Sequence, residues 1–181
     1  MTKSVTPLDI RDHQRIVVLG NGGSGKTWLA TRLADATGYP LLHLDRGMWQ
    51  PGWIMRTSDE VAAWTRAITI GDRWIIEGDH DVTTSLRWDA ADLVILVDVN
   101  RVVCILNVVK RNRRDRPDLP DGIAEPSVFS HGFWHFCRHI WAYPKGGRRT
   151  VMVLHEQQPD KSFVRLTSRR AMRRFTAATL S

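Results

Sequence analysis

The stretch Arg15 to Trp28, RIVVLGNGGSGKTW, restricts what this chain can fold into more than any other part of it. Ile16-Val17-Val18-Leu19 has the unbroken hydrophobicity of a parallel strand covered on both faces. It runs directly into Gly20-Asn21-Gly22-Gly23-Ser24-Gly25-Lys26-Thr27, and the helical pattern of Leu29, Ala30, Arg32 and Leu33 follows. Strand, glycine-rich loop and helix in this order make a phosphate-binding loop. The glycines let the backbone curl with its N–H groups inward, at the positive end of the following helix, so that the donors form a cradle for phosphate oxygens. Gly20, Asn21, Gly22, Gly23, Ser24, Gly25, Lys26 and Thr27 are therefore the candidate nucleotide-binding residues. Lys26 supplies a point charge to the β- and γ-phosphates, and the Thr27 hydroxyl is a magnesium ligand, so ATP and Mg2+ are the expected cofactors.

At 181 residues the sequence suits one α/β domain with a proper core. No apolar run approaches about eighteen residues, and no charged-then-apolar leader follows Met1, so the expectation is a cytoplasmic protein without a membrane partner. Cys104 and Cys137 lack metal-like spacing and sit in apolar surroundings, which predicts buried free thiols. A net charge of +7 calls for an anionic partner, whether a nucleotide, a polynucleotide or a phosphorylated metabolite.

Residues 1–14 read as a loosely tethered lead-in. The first helix ends near Ala36, before Gly38 and Pro40, and Leu41-Leu42-His43-Leu44 forms a second strand ending at Asp45. Ligands of an open parallel sheet bind beyond the carboxyl ends of its strands, so Asp45 is a candidate catalytic acid facing the site; the alternative is a cap on the next turn. Trp49 and Trp53, among turn formers, offer either an acceptor-binding surface or packing. Thr57 and Ser58 are candidate caps for a helix through Val61, Trp64 and Ile68, and residues 46–70 are the expected acceptor-binding region. The third strand, Arg73 to Asp79, ends in acids: Glu77 is the expected metal-side carboxylate, acting through water, while Gly78 and Asp79 face the acceptor. Asp92 to Asp98 is a fourth, central strand.

A helix from Arg101 enters the cationic run Lys110 to Arg116. Such a cluster is either a solvated surface or, beside a phosphate loop, part of a lid over residues 110–127 whose Arg111, Arg113, Arg114 and Arg116 stabilise charge on a transferred phosphoryl group. His131, His135 and His139 recur at helical spacing, but no acid or cysteine completes a zinc site; they flank a face read as buried through Phe133, Trp134, Phe136, Cys137, Ile140 and Trp141. Thr150 to Leu154 looks locally like a strand, yet Ser162 to Leu166, followed by Thr167-Ser168 as a cap and a basic helix from Arg169, is the better closing unit.

The loop GNGGSGKT, the LHLD segment with its WQPGW, RWIIEGD, DLVILVD, the basic stretch ending in RPDLP and the final FVRLTSRR together resemble the adenylate-kinase-like P-loop family of DNA topology-modulation (FlaR-type) proteins. The similarity runs from Arg15 to Leu180, and the ordered set is more specific than the loop alone. It implies a three-layer P-loop NTPase fold with five parallel strands in the order 2-3-1-4-5, recasts residues 148–157 as helix, and sets Thr167, Ser168 and Arg169 beside the adenine. Two departures stand out: Glu77 replaces the usual Asp, and Trp28 replaces a small polar residue, crowding the loop's first turn.

The residues fit a kinase in which ATP·Mg binds at the loop and the acceptor lies among Asp45, Trp49, Trp53 and the end of the third strand. A phosphate acceptor needs no base, whereas a hydroxyl benefits from a carboxylate that takes its proton, so Asp45 favours a hydroxyl-bearing acceptor. Arg46, Arg56 and Arg87 offer the alternative, a clamp on a nucleotide's phosphate. Two other readings compete: a nucleic-acid-binding ATPase using the tracts Lys110 to Arg116 and Arg165 to Arg174, and a nucleotide sensor without turnover.

Overall fold

The computed structural model describes residues 9–111, 118–120, 123 and 126–180. Strand β1 (Arg15–Gly20) leads through the glycine loop to helix α1 (Lys26–Thr37), which stops at Gly38 in the left-handed conformation, φ 72°. Next come β2 (Leu41–His43), α2 (Leu44–Met48), the short strands β3 (Trp49–Gln50) and β4 (Ile54–Met55), and α3 (Ser58–Ile68). Then follow β5 (Trp74–Glu77), α4 (Asp81–Ala90), β6 (Leu93–Val97), α5 (Arg101–Arg111), α6 (His131–Ala142), α7 (Gly147–Gln157), β7 (Ser162–Leu166) and α8 (Arg169–Thr179). Five strands make one parallel sheet in the order β2-β5-β1-β6-β7, while β3 and β4 pair separately as an antiparallel hairpin. Counted without the hairpin, the parallel order is the expected 2-3-1-4-5.

The unbroken apolar runs follow from coverage on both faces. Ile16 and Val18 of β1, with Leu93, Ile95 and Val97 of β6, face a core built with α1, α5, α6 and α8. The alternate residues Val17, Leu19, Val94 and Leu96 face a second core with Trp74, Trp88 and Val151, brought by β5, α4 and α7. A third cluster of Leu44, Met48 and Val61 seats α2 on α3. At the start of α3, Thr57 and Glu60 form a reciprocal capping box, and Ser168 accepts from the Ala171 N–H to cap α8. Cys104 and Cys137 are free and buried, as their apolar surroundings predict.

Several expectations are corrected. The end of the lead-in is anchored: Ile10 is buried, and the N–H groups of Gln14 and Arg15 both donate to Asp92 at 2.9 and 3.0 Å. Residues 150–154 are helical despite their β-branched character, as the family resemblance implies. On α6 the buried face carries Phe133, Cys137 and Ile140, whereas Trp134 and Trp141 remain 60% and 50% exposed. His131, His135 and His139 lie on its exposed side, and among the described residues no three His, Cys, Asp or Glu side chains converge as a metal site. Among those residues, too, no helix is long and apolar enough to cross a membrane.

Candidate active site

The glycine loop is clasped from three sides. Gly23 has φ 77°, and a Cβ there would sit 2.4 Å from the Cys104 carbonyl of α5, so both backbone conformation and space require glycine. Gly22 lies against Phe136 and Ile140 of α6. Asn21 donates from Nδ2 to the Ile140 carbonyl at 2.8 Å, which engages its side chain with α6 and leaves its main chain for the cradle. Asn107 of α5 donates to the Gly23 carbonyl at 2.8 Å and accepts from Arg169 Nη2 of α8 at 2.6 Å. Sequence reasoning missed Asn107 and Phe136; nothing in their local spacing marks them as supports of a loop more than eighty residues upstream. The aromatic helix that invited a zinc hypothesis is thus a buttress of the glycine loop.

At the loop's end Lys26 Nζ lies 4.0 Å from Glu77 Oε2, and Glu77 is 2% exposed. His43, the last residue of β2, sets Nδ1 2.8 Å from Glu77 Oε1; with Glu77 ionised, the proton of this hydrogen bond lies on Nδ1. Glu77 Oε2 is buried and has no hydrogen-bond partner among the described residues. An unsatisfied buried carboxylate oxygen is costly, and a water held by a divalent cation would satisfy it. With Thr27 in the first turn of α1, the oxygens on offer are one hydroxyl and one carboxylate. That set fits magnesium, which keeps most of its water and completes its shell with phosphate oxygens.

Beyond the end of β5, the turn into α4 is assembled around a buried cation. Arg87 of α4 is 0% exposed and donates to the carbonyls of Gly78 (2.8 Å), Thr83 (3.3 Å) and His80 (3.3 Å). It therefore presents no open clamp to an acceptor phosphate, contrary to one expectation. Burial depresses its pKa, while the charges of Asp79, Tyr143, Glu77 and Asp45 oppose this in decreasing order. Burial also pushes the Asp79 carboxyl up, against the pull of Arg87, and holds the Tyr143 phenol well above its usual value. Gly78, expected at the acceptor, is buried at φ 134°, and a Cβ there would meet Leu44 Cβ at 2.5 Å. The missing side chain lets α2 approach β5 and brings Asp45 to the carboxyl edge of the sheet.

Asp45 lies within the first turn of α2 and is half-buried; the N-cap position belongs to His43, which makes no side-chain cap bond. The Trp49 and Trp53 rings meet edge to face, 5.2 Å between centroids. Trp53 holds φ 61°, an uncommon conformation for a large side chain. Arg46 is exposed, and the Arg56 N–H closes the hairpin on the Met48 carbonyl at 2.9 Å. Thr167, Ser168 and Arg169 follow β7, at the sheet edge opposite β2 and Asp45. Arg111 ends α5 half-buried, whereas Arg113, Arg114 and Arg116 lie outside the described residues. Trp28 does not crowd the loop: it is 39% exposed, with the Arg32 guanidinium 4.6 Å above its ring.

The chain matches no family model and no curated protein by sequence. Among solved structures it is similar to a gluconokinase from Sinorhizobium meliloti, with 16% identity over 92% of this chain and 89% of that one, and a TM-score of 0.54. A shikimate kinase from Acinetobacter baumannii in complex with shikimate shares 13% identity over 91% and 89% of the two chains, TM-score 0.56. A sugar kinase from Janibacter shares 17% over 91% and 90%, TM-score 0.51. At these identities the likeness establishes the fold, that of P-loop kinases.

Proposed function

We propose that this protein is a P-loop kinase that transfers the γ-phosphoryl group of ATP to a hydroxyl of a small-molecule acceptor. The observation that carries this is the pairing, along one carboxyl edge of the sheet, of the clasped loop ending in Lys26 with the acid group of Asp45, Glu77 and Asp79. The fold neighbours named for gluconate, shikimate and sugar kinases, all hydroxyl-bearing acceptors, support the same chemistry.

In this account the backbone N–H groups of residues 20–27 and the Lys26 ammonium hold the phosphates and offset charge on the transferred group. Thr27 and, through water, Glu77 would hold Mg2+, which supplies positive charge to the phosphate oxygens when bound. His43 fixes the Glu77 carboxylate in orientation through its 2.8 Å hydrogen bond. Asp45 takes the acceptor hydroxyl's proton, and the Trp49–Trp53 hairpin bounds the acceptor. Arg111, Arg113, Arg114 and Arg116 exclude water from the reacting end, which suppresses wasteful hydrolysis.

The finer resemblance to topology-modulation proteins motivates a second reading, a nucleic-acid-dependent ATPase. Exposed Arg169, Arg170, Arg173 and Arg174 on α8 favour it; Arg165 counts against it, since its Nε bonds Asp98 at 2.8 Å. A screen of polyhydroxylated acids, sugars and nucleoside monophosphates for acceptor-dependent ADP release tests the proposal. Release with a hydroxylated metabolite supports it. No acceptor-dependent release, together with ATP turnover stimulated by duplex DNA and abolished by salt, would establish the second reading instead.

A further inference from the structure

We infer that the nucleotide's base lies against the Trp28 indole, between α1 and α8, and that guanine is accepted there at least as well as adenine. This rests on the phosphate-loop reading and deepens it by naming the residues that meet the base. A cleft of about 260 Å³ opens at Gly25, the last loop residue before α1, and is lined also by Trp28, Arg169, Met172 and Arg173. Gly25 belongs to both the loop and the cleft, so a group tethered to the loop's phosphates reaches it without leaving the surface. The volume lies near the lower end of small-ligand pockets and suits a purine with part of its ribose.

The lining supplies stacking and donors. Arg32 covers one face of the Trp28 ring at 4.6 Å, and the 39% exposure of the residue leaves apolar ring surface beside the cleft. Met172, 3% exposed, forms the floor, its Cε 3.3 Å from where a Cβ on Gly25 would stand. A flat apolar platform binds any base through its π-face and does not by itself choose among them. The choice falls to Arg169 and Arg173. Arg169 is held to the loop through Asn107, whose Oδ1 accepts its Nη2 at 2.6 Å and whose Nδ2 donates to Gly23 O at 2.8 Å. The Gly25 carbonyl already accepts the Leu29 N–H at 3.1 Å, and among the described residues none of the lining side chains carries an oxygen.

A guanidinium offers donors and no acceptor. Guanine presents two adjacent acceptors, N7 and O6, which match it in a bidentate pair, whereas adenine sets its N6 donor beside N7. The lining therefore pairs both N7 and O6 of guanine but only N7 of adenine, while the donors of either base, N1–H and N2–H2 of guanine or N6–H2 of adenine, turn to solvent.

Calorimetric titration of ATP, GTP and inorganic tripolyphosphate, each with magnesium, into wild type, Trp28→Ala, Trp28→Phe and Arg173→Gln tests this. The expected wild-type Kd for GTP equals or falls below that for ATP. Trp28→Ala should weaken both nucleotides about tenfold and leave tripolyphosphate unchanged, with Trp28→Phe recovering most of the loss. Arg173→Gln should weaken GTP more than ATP. The inference is overturned if ATP binds wild type measurably tighter than GTP. It is also overturned if Trp28→Ala leaves nucleotide affinity intact, or weakens tripolyphosphate as much as the nucleotides, which would make Trp28 a loop-packing residue. Failure of wild type to bind even tripolyphosphate would remove the phosphate-loop reading itself, a result distinct from these.

Discussion

The glycine loop after β1 and the β3–β4 hairpin are both glycine-containing turns, yet they are held in different ways. The loop is fixed by neighbours: Cys104 and Phe136 leave no room for a Cβ at positions 23 and 22, and Asn21 and Asn107 tie it to α6 and α5. The hairpin rests on α2 and α3 through Trp49 and the Arg56 N–H bond to Met48, carries the edge-to-face Trp49–Trp53 contact, and leaves Ile54 and Met55 60% and 48% exposed. A site that receives one invariant chemical group is best served by rigid backbone donors. A surface that must fit one particular acceptor is built from side chains, and its preference is written in their shapes.

Substitutions sharpen this contrast in order of expected effect. Lys26→Ala, on the fixed side, should lower phosphoryl transfer by at least about a hundredfold while circular dichroism stays native, because the loop is packed through Gly22, Gly23, Asn21 and Asn107 even when the Lys26–Glu77 pair is lost. Asp45→Asn, on the adaptable side, should cut transfer to a hydroxyl acceptor by about a hundredfold and leave ATP affinity unchanged. An equal loss in ATP binding would erase the division between the two regions. Trp53→Ala should raise the acceptor KM by about tenfold with little change in the KM for ATP, since the hairpin is proposed to bound the acceptor and not the nucleotide. Thr57→Ala removes the capping box that seats α3 behind that hairpin and should cost about 1 kcal/mol, read as a drop of a few degrees in Tm, without altering nucleotide binding.

The smallest expected effect is on pH dependence. Half-buried His80 is held below its ordinary 6.5, first by burial and then by the charge of Arg87. The unfolded chain then binds the proton more readily, so this contribution to stability is complete above 6.5 and is lost as pH falls from there through the depressed folded value. His80→Asn should flatten the stability profile in that window, measured by urea unfolding at successive pH values. An unchanged slope would assign the loss of stability to other groups.

Local pattern revealed the regions that depend on backbone alone. The buried strands announce themselves by unbroken apolar runs, the loop by its glycines, and α3 and α8 by the caps at Thr57 and Ser168. Where tertiary contacts decide, the pattern is silent. Helix α4 escaped notice because its buried face carries Thr83, Thr84 and Arg87 beside Trp88, so no apolar stripe exists to be read. Helix α7 reads as a strand through Val151-Met152-Val153, and packing on α4 overrides that propensity. Arg87 looked like a phosphate clamp because an arginine near a site is ambiguous by sequence; only its burial and its bonds to the Gly78, His80 and Thr83 carbonyls show that it is held inside the fold. The role of Asn107 joins α5, the loop and α8, and no local window contains all three.

The most direct test of the account is titration of ATP with magnesium into folded wild-type protein, followed by calorimetry. Saturable binding that disappears in Lys26→Ala is the predicted result. Absence of heat for both ATP and GTP, on material whose circular dichroism is native, would contradict the claim that residues 20–27 grip a triphosphate.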